Sequence, residues 1–324
     1  MKEARHYKKR AHKAVRCELC PQACVIKPGE YGFCRVRYNV GGILMAESYG
    51  RVMGFHRDPV EKKPLRHFYP GSGILSIGSH GCNFRCPWCQ NAHISQQKAE
   101  GLPGSCSAED VLHAALSATG RTPGAGRGRA TAAAYKTKAQ NNIPALRHPG
   151  KPGPSARNIG VAYTYNEPTV WFEFMRDIAV LVDEAGMKNV MVTNGYINPG
   201  PLDELLDVMH AFNVDLKSFS DPFYKKYCAG QLAPVLNTMK SIIARQRHLE
   251  ITFLVIPGLN EEPDRFEAMV QWIAKELGPE VPLHINRYVP AWQMERPPAP
   301  RAVLERMGKK AEHVLLHVHL GNVY

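Results

Sequence analysis

The run Cys82-Asn83-Phe84-Arg85-Cys86-Pro87-Trp88-Cys89 places three thiols within eight residues, at the spacing C-x3-C-x2-C. A loop this short acts as a clasp, and thiolates so spaced select zinc or an iron–sulfur cluster. Structural zinc takes four ligands. This loop brings three, with His93 the nearby candidate for a fourth. A four-iron cluster held by three thiolates keeps one iron open to a ligand that is not protein, which is what a reaction needs. The preceding Gly73-Ile74-Leu75-Ser76-Ile77-Gly78 reads as a short buried strand, so the clasp lies just past a strand end.

Beyond the clasp the chain alternates strand and helix. Strands are read at 159–165, 189–193, 213–217, 249–256, 281–285 and 314–320. Helical periods are read at 168–185, 199–211, 222–247 with a break near Cys228-Ala229-Gly230, 262–277 and 299–313. Ser107-Ala108-Glu109-Asp110 opens a further helix with a capping residue. Such alternation requires parallel strands and right-handed crossovers. The expected fold is α/β: a partial (β/α)6 TIM-like barrel over 73–320, with the last strand added at its edge. Within it, 120–158 is rich in Gly, Pro, Ala and Arg and carries no acid, and it is expected to be a disordered basic insert.

Strand after strand ends in polar or turn residues: Asn166-Glu167-Pro168, Asn194-Gly195-Tyr196, Asp215 with Lys217, Pro257 to Asn260, and His284 with Asn286 and Arg287. In a parallel barrel these ends form one rim, where chemistry resides. Singly each has a bland reading. Asn-Glu-Pro is a helix cap with its first-turn proline, and Asp215 with Lys217 is a buried ion pair. Together, next to the clasp, they predict a site. Cys228 and Cys106 read as buried or incidental thiols. His317 and His319 share one face of the closing strand, as metal ligands or as packing.

Upstream, Cys17, Cys20, Cys24 and Cys34 stand at C-x2-C-x3-C-x9-C, with Gly29 and Gly32 in the last loop. Four thiolates suit one zinc ion or a second iron–sulfur cluster, and two disulfides are the alternative. This marks 17–72 as a small Cys-rich metal-binding region. Its stretch Asp58-Pro59-Val60-Glu61-Lys62-Lys63-Pro64-Leu65 is read as too proline-broken for a regular element. Residues 1–16 hold seven Lys/Arg and one Glu and are expected to form a disordered basic tail. They contribute +6 and residues 121–158 contribute +8, so against a formal +12 the remainder sums to −2. The body is therefore near neutral, and no basic face interleaved with aromatics suggests a nucleic-acid partner. At 324 residues and 44% hydrophobic the chain supports a sizeable core. It holds no run of eighteen apolar residues for a membrane span. No apolar leader stands at Met1-Lys2-Glu3-Ala4, and nine cysteines point to metal in a reducing, cytoplasmic setting.

The clasp spacing resembles that of the radical S-adenosylmethionine (radical SAM) superfamily. The wider chain is similar to the pyruvate formate-lyase activating enzymes and more so to the radical SAM enzyme of the AmmeMemoRadiSam system. The residues that carry this are Cys17 to Cys34, Asp58 to Leu65, Gly81 to Asn91, Tyr163 to Thr169, Val192 to Tyr196, Asp215 to Lys217, Val255 to Asn260 and Arg287 to Pro290. The resemblance implies a 4Fe-4S cluster on Cys82, Cys86 and Cys89 that binds S-adenosylmethionine at its open iron. It implies reductive cleavage to methionine and a 5′-deoxyadenosyl radical, which abstracts hydrogen from a substrate, in activases a protein glycine. Asn166, Glu167, Asn194, Asp215, Lys217 and His284 match cofactor-holding positions, Glu167 the one near the methionyl ammonium. Phe84 and Trp88 are expected to pack near cluster or adenine. Flavodoxin or ferredoxin is implied as electron donor. Tyr165 and Asn166 stand where activases have two glycines, Val192 where they often have an acid. The closer group continues past the residues matching Gly321 to Tyr324 into a Cys-containing tail, which leaves open whether the C-terminus is truncated. Modification of RNA or a small molecule, and a non-catalytic scaffold, are the rival readings.

Overall fold

A computed structural model of the chain describes residues 1–98, 106–119 and 157–323. The chain opens with six short strands: β1 (Lys2–Glu3), β2 (Tyr7–Lys9), β3 (Val15–Cys17), β4 (Val25–Ile26), β5 (Arg37–Val40) and β6 (Ile43–Ala46). They form two three-stranded antiparallel sheets, ordered β1-β6-β5 and β2-β3-β4. The expected disordered tail at 1–16 is thus corrected. Lys2 and Glu3 pair with Ala46 and Met45, and Tyr7–Lys9 pair with Val15–Cys17. Part of the tail's charge is matched by acids of the barrel: Lys2 lies 2.6 Å from Asp177 and Arg5 2.9 Å from Glu204.

The larger sheet follows. Strand β7 (Phe55–Pro59) runs antiparallel to β8 (Gly73–Ile77). The clasp and a short turn, α1 (Ala92–Ser95), come next, then α2 (Ala108–Ser117), whose Ser107 caps it with a reciprocal bond to Asp110. Then strand and helix alternate: β9 (Asn158–Tyr163), α3 (Phe172–Glu184), β10 (Lys188–Thr193), α4 (Pro199–Leu206), β11 (Ala211–Asp215), α5 (Asp221–Phe223), α6 (Leu232–Ala244), β12 (His248–Val255), α7 (Pro263–Glu276), β13 (Leu283–Arg287), α8 (Arg301–Glu312) and β14 (Val318–Gly321). A π-turn at Tyr224–Cys228 ends on Ala229 in the left-handed region, which is the expected break. Strands β8 to β14 are all parallel, and the eight-stranded order β14-β13-β12-β11-β10-β9-β8-β7 is open. Six of these, β8 to β13, are the partial (β/α)6 barrel, with β14 added at one edge and β7 at the other.

Most of the insert read at 120–158 lies outside the described residues. Asn158 is instead a buried first residue of β9, its Nδ2 donating to Ala115 O at 2.9 Å. The Asp58–Leu65 run is more regular than its prolines suggest. Asp58 and Pro59 end β7, where an edge strand tolerates a missing donor, and Val60–Lys62 form a 3-10 turn. Val15, Leu19, Ile26 and Leu44 belong to the same buried core as Ile77, Phe212 and Phe253, so the Cys-rich region and the barrel share one interior.

Candidate active site

Three structural devices hold the clasp at the upper end of β8. The first is Gly81, at φ +82°; a Cβ there would stand 2.5 Å from Cys34 O, so only glycine lets the Cys-rich region approach this closely. The second is Asn166, whose Nδ2 donates to His80 O at 2.9 Å and Gly81 O at 3.0 Å, while its Oδ1 accepts from Ser79 N at 2.9 Å. The third is Arg85, which donates to Cys82 O and Phe84 O within the clasp and to Phe33 O beside Cys34.

The three thiols line one cavity of about 370 Å³, together with Glu167, Asn194, Asp215 and Lys217. Burial pushes Cys82 well above the usual thiol range and raises Cys89. Cys86 is pushed up first by a hydrogen bond with Cys228, then by burial. Buried Cys228 therefore lies against the clasp, inside the packing. Such thiols lose their protons only when a metal takes their place. Among the described residues no three His, Cys, Asp or Glu side chains converge on an ion as they stand.

Glu167 serves two purposes. It caps the 3-10 turn Pro168–Trp171, as its sequence suggests, with Oε1 accepting from Thr169 N at 3.0 Å, Thr169 Oγ1 at 2.7 Å and Thr193 Oγ1 at 2.7 Å. Among the described residues Oε2 accepts Asn194 N alone, at 2.8 Å, and has capacity left toward the cavity it lines. Burial lifts its carboxyl above the usual range despite these donors. A cation alongside would restore the ionised form. Asn194 Nδ2 donates to Asn83 Oδ1 at 2.8 Å and lies 3.8 Å from Cys82 Sγ, so it links strand β10 to the first clasp sulfur. Lys217 Nζ meets Asp215 Oδ2 at 2.6 Å. Burial draws that lysine down, but the Asp215 charge wins and holds it above its ordinary value.

His284 departs from expectation. It does not line the cavity; its Nε2 sits 2.6 Å from Glu250 Oε2, one layer deeper in the barrel. The cause is depth along β13: His284 is its second residue and Asn286 its fourth, on the same face but nearer the C-terminal rim, so it is Asn286 that reaches the cavity. Phe84 packs on Tyr196 at 4.9 Å and Trp88 on Phe223 at 5.6 Å, and both also border the cavity. Lys62, Lys63, Asn213 and Thr252 line it as well and were missed in the sequence reading. Lys63 is only 4% exposed, 2.8 Å from Asp58. Nothing in a Lys-Lys pair signals burial; the nearby Asp58 was the available hint.

Cys17, Cys20, Cys24 and Cys34 are also brought together, around a small cavity of about 10 Å³ that Arg37 borders. Burial raises all four thiols, and for Cys17 and Cys34 the Arg37 guanidinium opposes that rise. Four thiols lining one small cavity beside a cation are, by donor type, suited to a thiophilic metal, though they do not meet at one point. The clasp trio, with polar groups opposite, fits a cluster that keeps one iron for an outside ligand. No helix among the described residues is long and apolar enough to cross a membrane.

Residues 156–273 match the family model of the Radical SAM superfamily. The whole of this chain aligns at 38% identity with an uncharacterised protein of Methanocaldococcus jannaschii, covering 86% of it. At 24% identity, 63% of the chain aligns with 70% of the benzylsuccinate synthase activating enzyme of Thauera aromatica. Among solved structures, a radical SAM methyltransferase from Sphaerobacter thermophilus has a similar fold, with TM-score 0.52 and 14% identity over 78% of this chain and 67% of that one.

Proposed function

Because the chain belongs to the radical SAM superfamily, we propose that Cys82, Cys86 and Cys89 hold a 4Fe-4S cluster and that the adjoining cavity takes S-adenosylmethionine. When bound and reduced, this pair supplies methionine and a 5′-deoxyadenosyl radical that removes a hydrogen atom from the substrate. The rest is done by the chain itself. Glu167 Oε2 receives the methionyl ammonium, and the cation holds that buried carboxyl ionised. Asn194 orients Cys82 and, with Asp215 and Lys217, holds the remainder of the cofactor. Asn166 acts as a positioning residue, since its amide is fully engaged by the loop that carries the clasp.

The carrying observation is that three thiols and one under-used carboxylate line a single cavity. The likeness to an activating enzyme supports a protein substrate. In this reading a glycine Cα–H is the atom attacked, and flavodoxin or ferredoxin is the electron donor. The N-terminal thiol quartet holds a second metal, zinc or iron–sulfur, in this reading. Such chemistry belongs in a reducing compartment, the cytoplasm. Anaerobic reconstitution, iron and sulfide analysis, and electron paramagnetic resonance with and without S-adenosylmethionine form the test. A cubane signal that changes on adding the nucleoside, with 5′-deoxyadenosine formed under dithionite, is expected. Zinc alone at the trio, or an intact cluster with no cleavage, would overturn the reading.

A further inference from the structure

A second cluster of potential metal ligands lies deeper in the half-barrel, below the cavity. His319 lies in β14 and His317 just before it, two residues apart, and His67 comes from the connection between β7 and β8. His67 Nε2 and His319 Nε2 are 2.8 Å apart. The His67 ring centroid is 4.3 Å from that of His317 and 5.1 Å from that of His319. Behind them, Glu250 of β12 accepts the main-chain N–H of Arg66 at 2.9 Å and of His67 at 2.8 Å, and it bonds His248 at 2.9 Å and His284 at 2.6 Å. The backbone at His67 is thereby fixed while its exposed ring can turn.

Two imidazole nitrogens this close share one proton between two lone pairs. A divalent cation in place of that proton takes both, and imidazole is a ligand that zinc favours. Among the described residues no three such donors meet at a point as they stand, which is equally so of Cys82, Cys86 and Cys89. His317 lies 3.5 Å from Glu280, packs on the His67 ring and is partly exposed, so a ring rotation brings it in. We propose that His67, His317 and His319 bind one zinc-class divalent cation, completed by water and backed by the carboxylate of Glu250.

The location gives the ion a purpose. The sheet is open, and β14 and β7 are its unpaired edges. The cation would join β14 to the connection that follows β7. That same connection carries Lys62, Lys63 and Pro64 into the cavity lining. The ion is therefore a brace that closes the lower seam and fixes one wall of the candidate active site. It needs no sulfur, which separates it from both cysteine sites.

The test uses the full chain with its cluster reconstituted anaerobically, equilibrated with zinc chloride. Zinc per chain is measured by mass spectrometry and zinc coordination by K-edge X-ray absorption, which iron does not mask. H67A and H319A are each expected to lose one zinc equivalent. The lost component should be nitrogen and oxygen scatterers at about 2.0 Å, not sulfur at about 2.3 Å. His67 is exposed, so H67A keeps the fold, and H317A is an independent arm read by at least tenfold weaker zinc retention. Equal zinc in wild type and H67A, or loss confined to sulfur-bound zinc, overturns the proposal.

Discussion

Glu167 divides its two oxygens between structure and ligand, so its substitution should separate the two roles. In E167Q the amide oxygen can still cap Thr169, but the NH2 group then faces the Asn194 N–H, donor against donor. The loss of charge should weaken S-adenosylmethionine binding by roughly tenfold or more, since bonds to charged groups are worth about 1.5–3 kcal/mol. Calorimetric titration of the cluster-loaded protein checks this. Asp58 shows the opposite pH behaviour. Burial pushes it up, but the Lys63 charge and hydrogen bonds from Lys63, Tyr165 and Lys62 carry it well below the usual carboxylate range. A depressed acid stabilises the fold above its unfolded value and loses that contribution as pH falls through the folded one. Stability should therefore drop below about pH 4 by on the order of 2 kcal/mol, and D58N should flatten the drop. Thermal unfolding between pH 7 and pH 3 provides the measurement. At this scale the clasp thiols and Glu167 were legible because their chemistry is written in type and spacing. His284 lies deeper because residues two apart on a strand share a face but not a depth, and only the one nearer the C-terminal end reaches the rim.

At the scale of elements, the contact between the clasp and the Cys34 loop depends on Gly81. Alanine there meets both a left-handed backbone and a carbonyl 2.5 Å from its Cβ. G81A should destabilise by about 3 kcal/mol and reduce iron retention, because the loop must move off its neighbour. Differential scanning calorimetry and iron content would show it; an unshifted transition with full iron would refute the close-approach account. Strands β8 to β13 and their helices were readable because each carries a continuous apolar run or an amphipathic period. The strands β1 and β2 were not, since two or three residues cannot display a period. What orders Lys2–Glu3 is the distant Ala46 edge. Asp58-Pro59 was misread for a related reason: proline excludes a central strand but suits the rim of a sheet.

For the molecule as a whole, the joint between Cys-rich region and barrel is a buried ion pair. Arg37 NH2 donates to both oxygens of Glu173 at 2.8 Å, and Glu173 also accepts Arg5 N at 2.7 Å. Both partners are 1% exposed. Removing one leaves the other charged and dry, at a cost of about 3–5 kcal/mol, so E173Q should lower the urea midpoint sharply. The double variant R37M/E173L should recover much of that loss. An E173Q midpoint equal to wild type would show that the joint rests on apolar packing alone.

The spatial order of the large sheet, β7 through β14, repeats the order of the strands along the chain. Each new stave therefore needs only its predecessor as a template, and none waits for a later one to be inserted beside it. A wall built that way can rise during synthesis, one plank behind another as the ribosome delivers them. Shortening the gene from its far end should then remove planks singly, leaving shorter walls whose remaining neighbours still match.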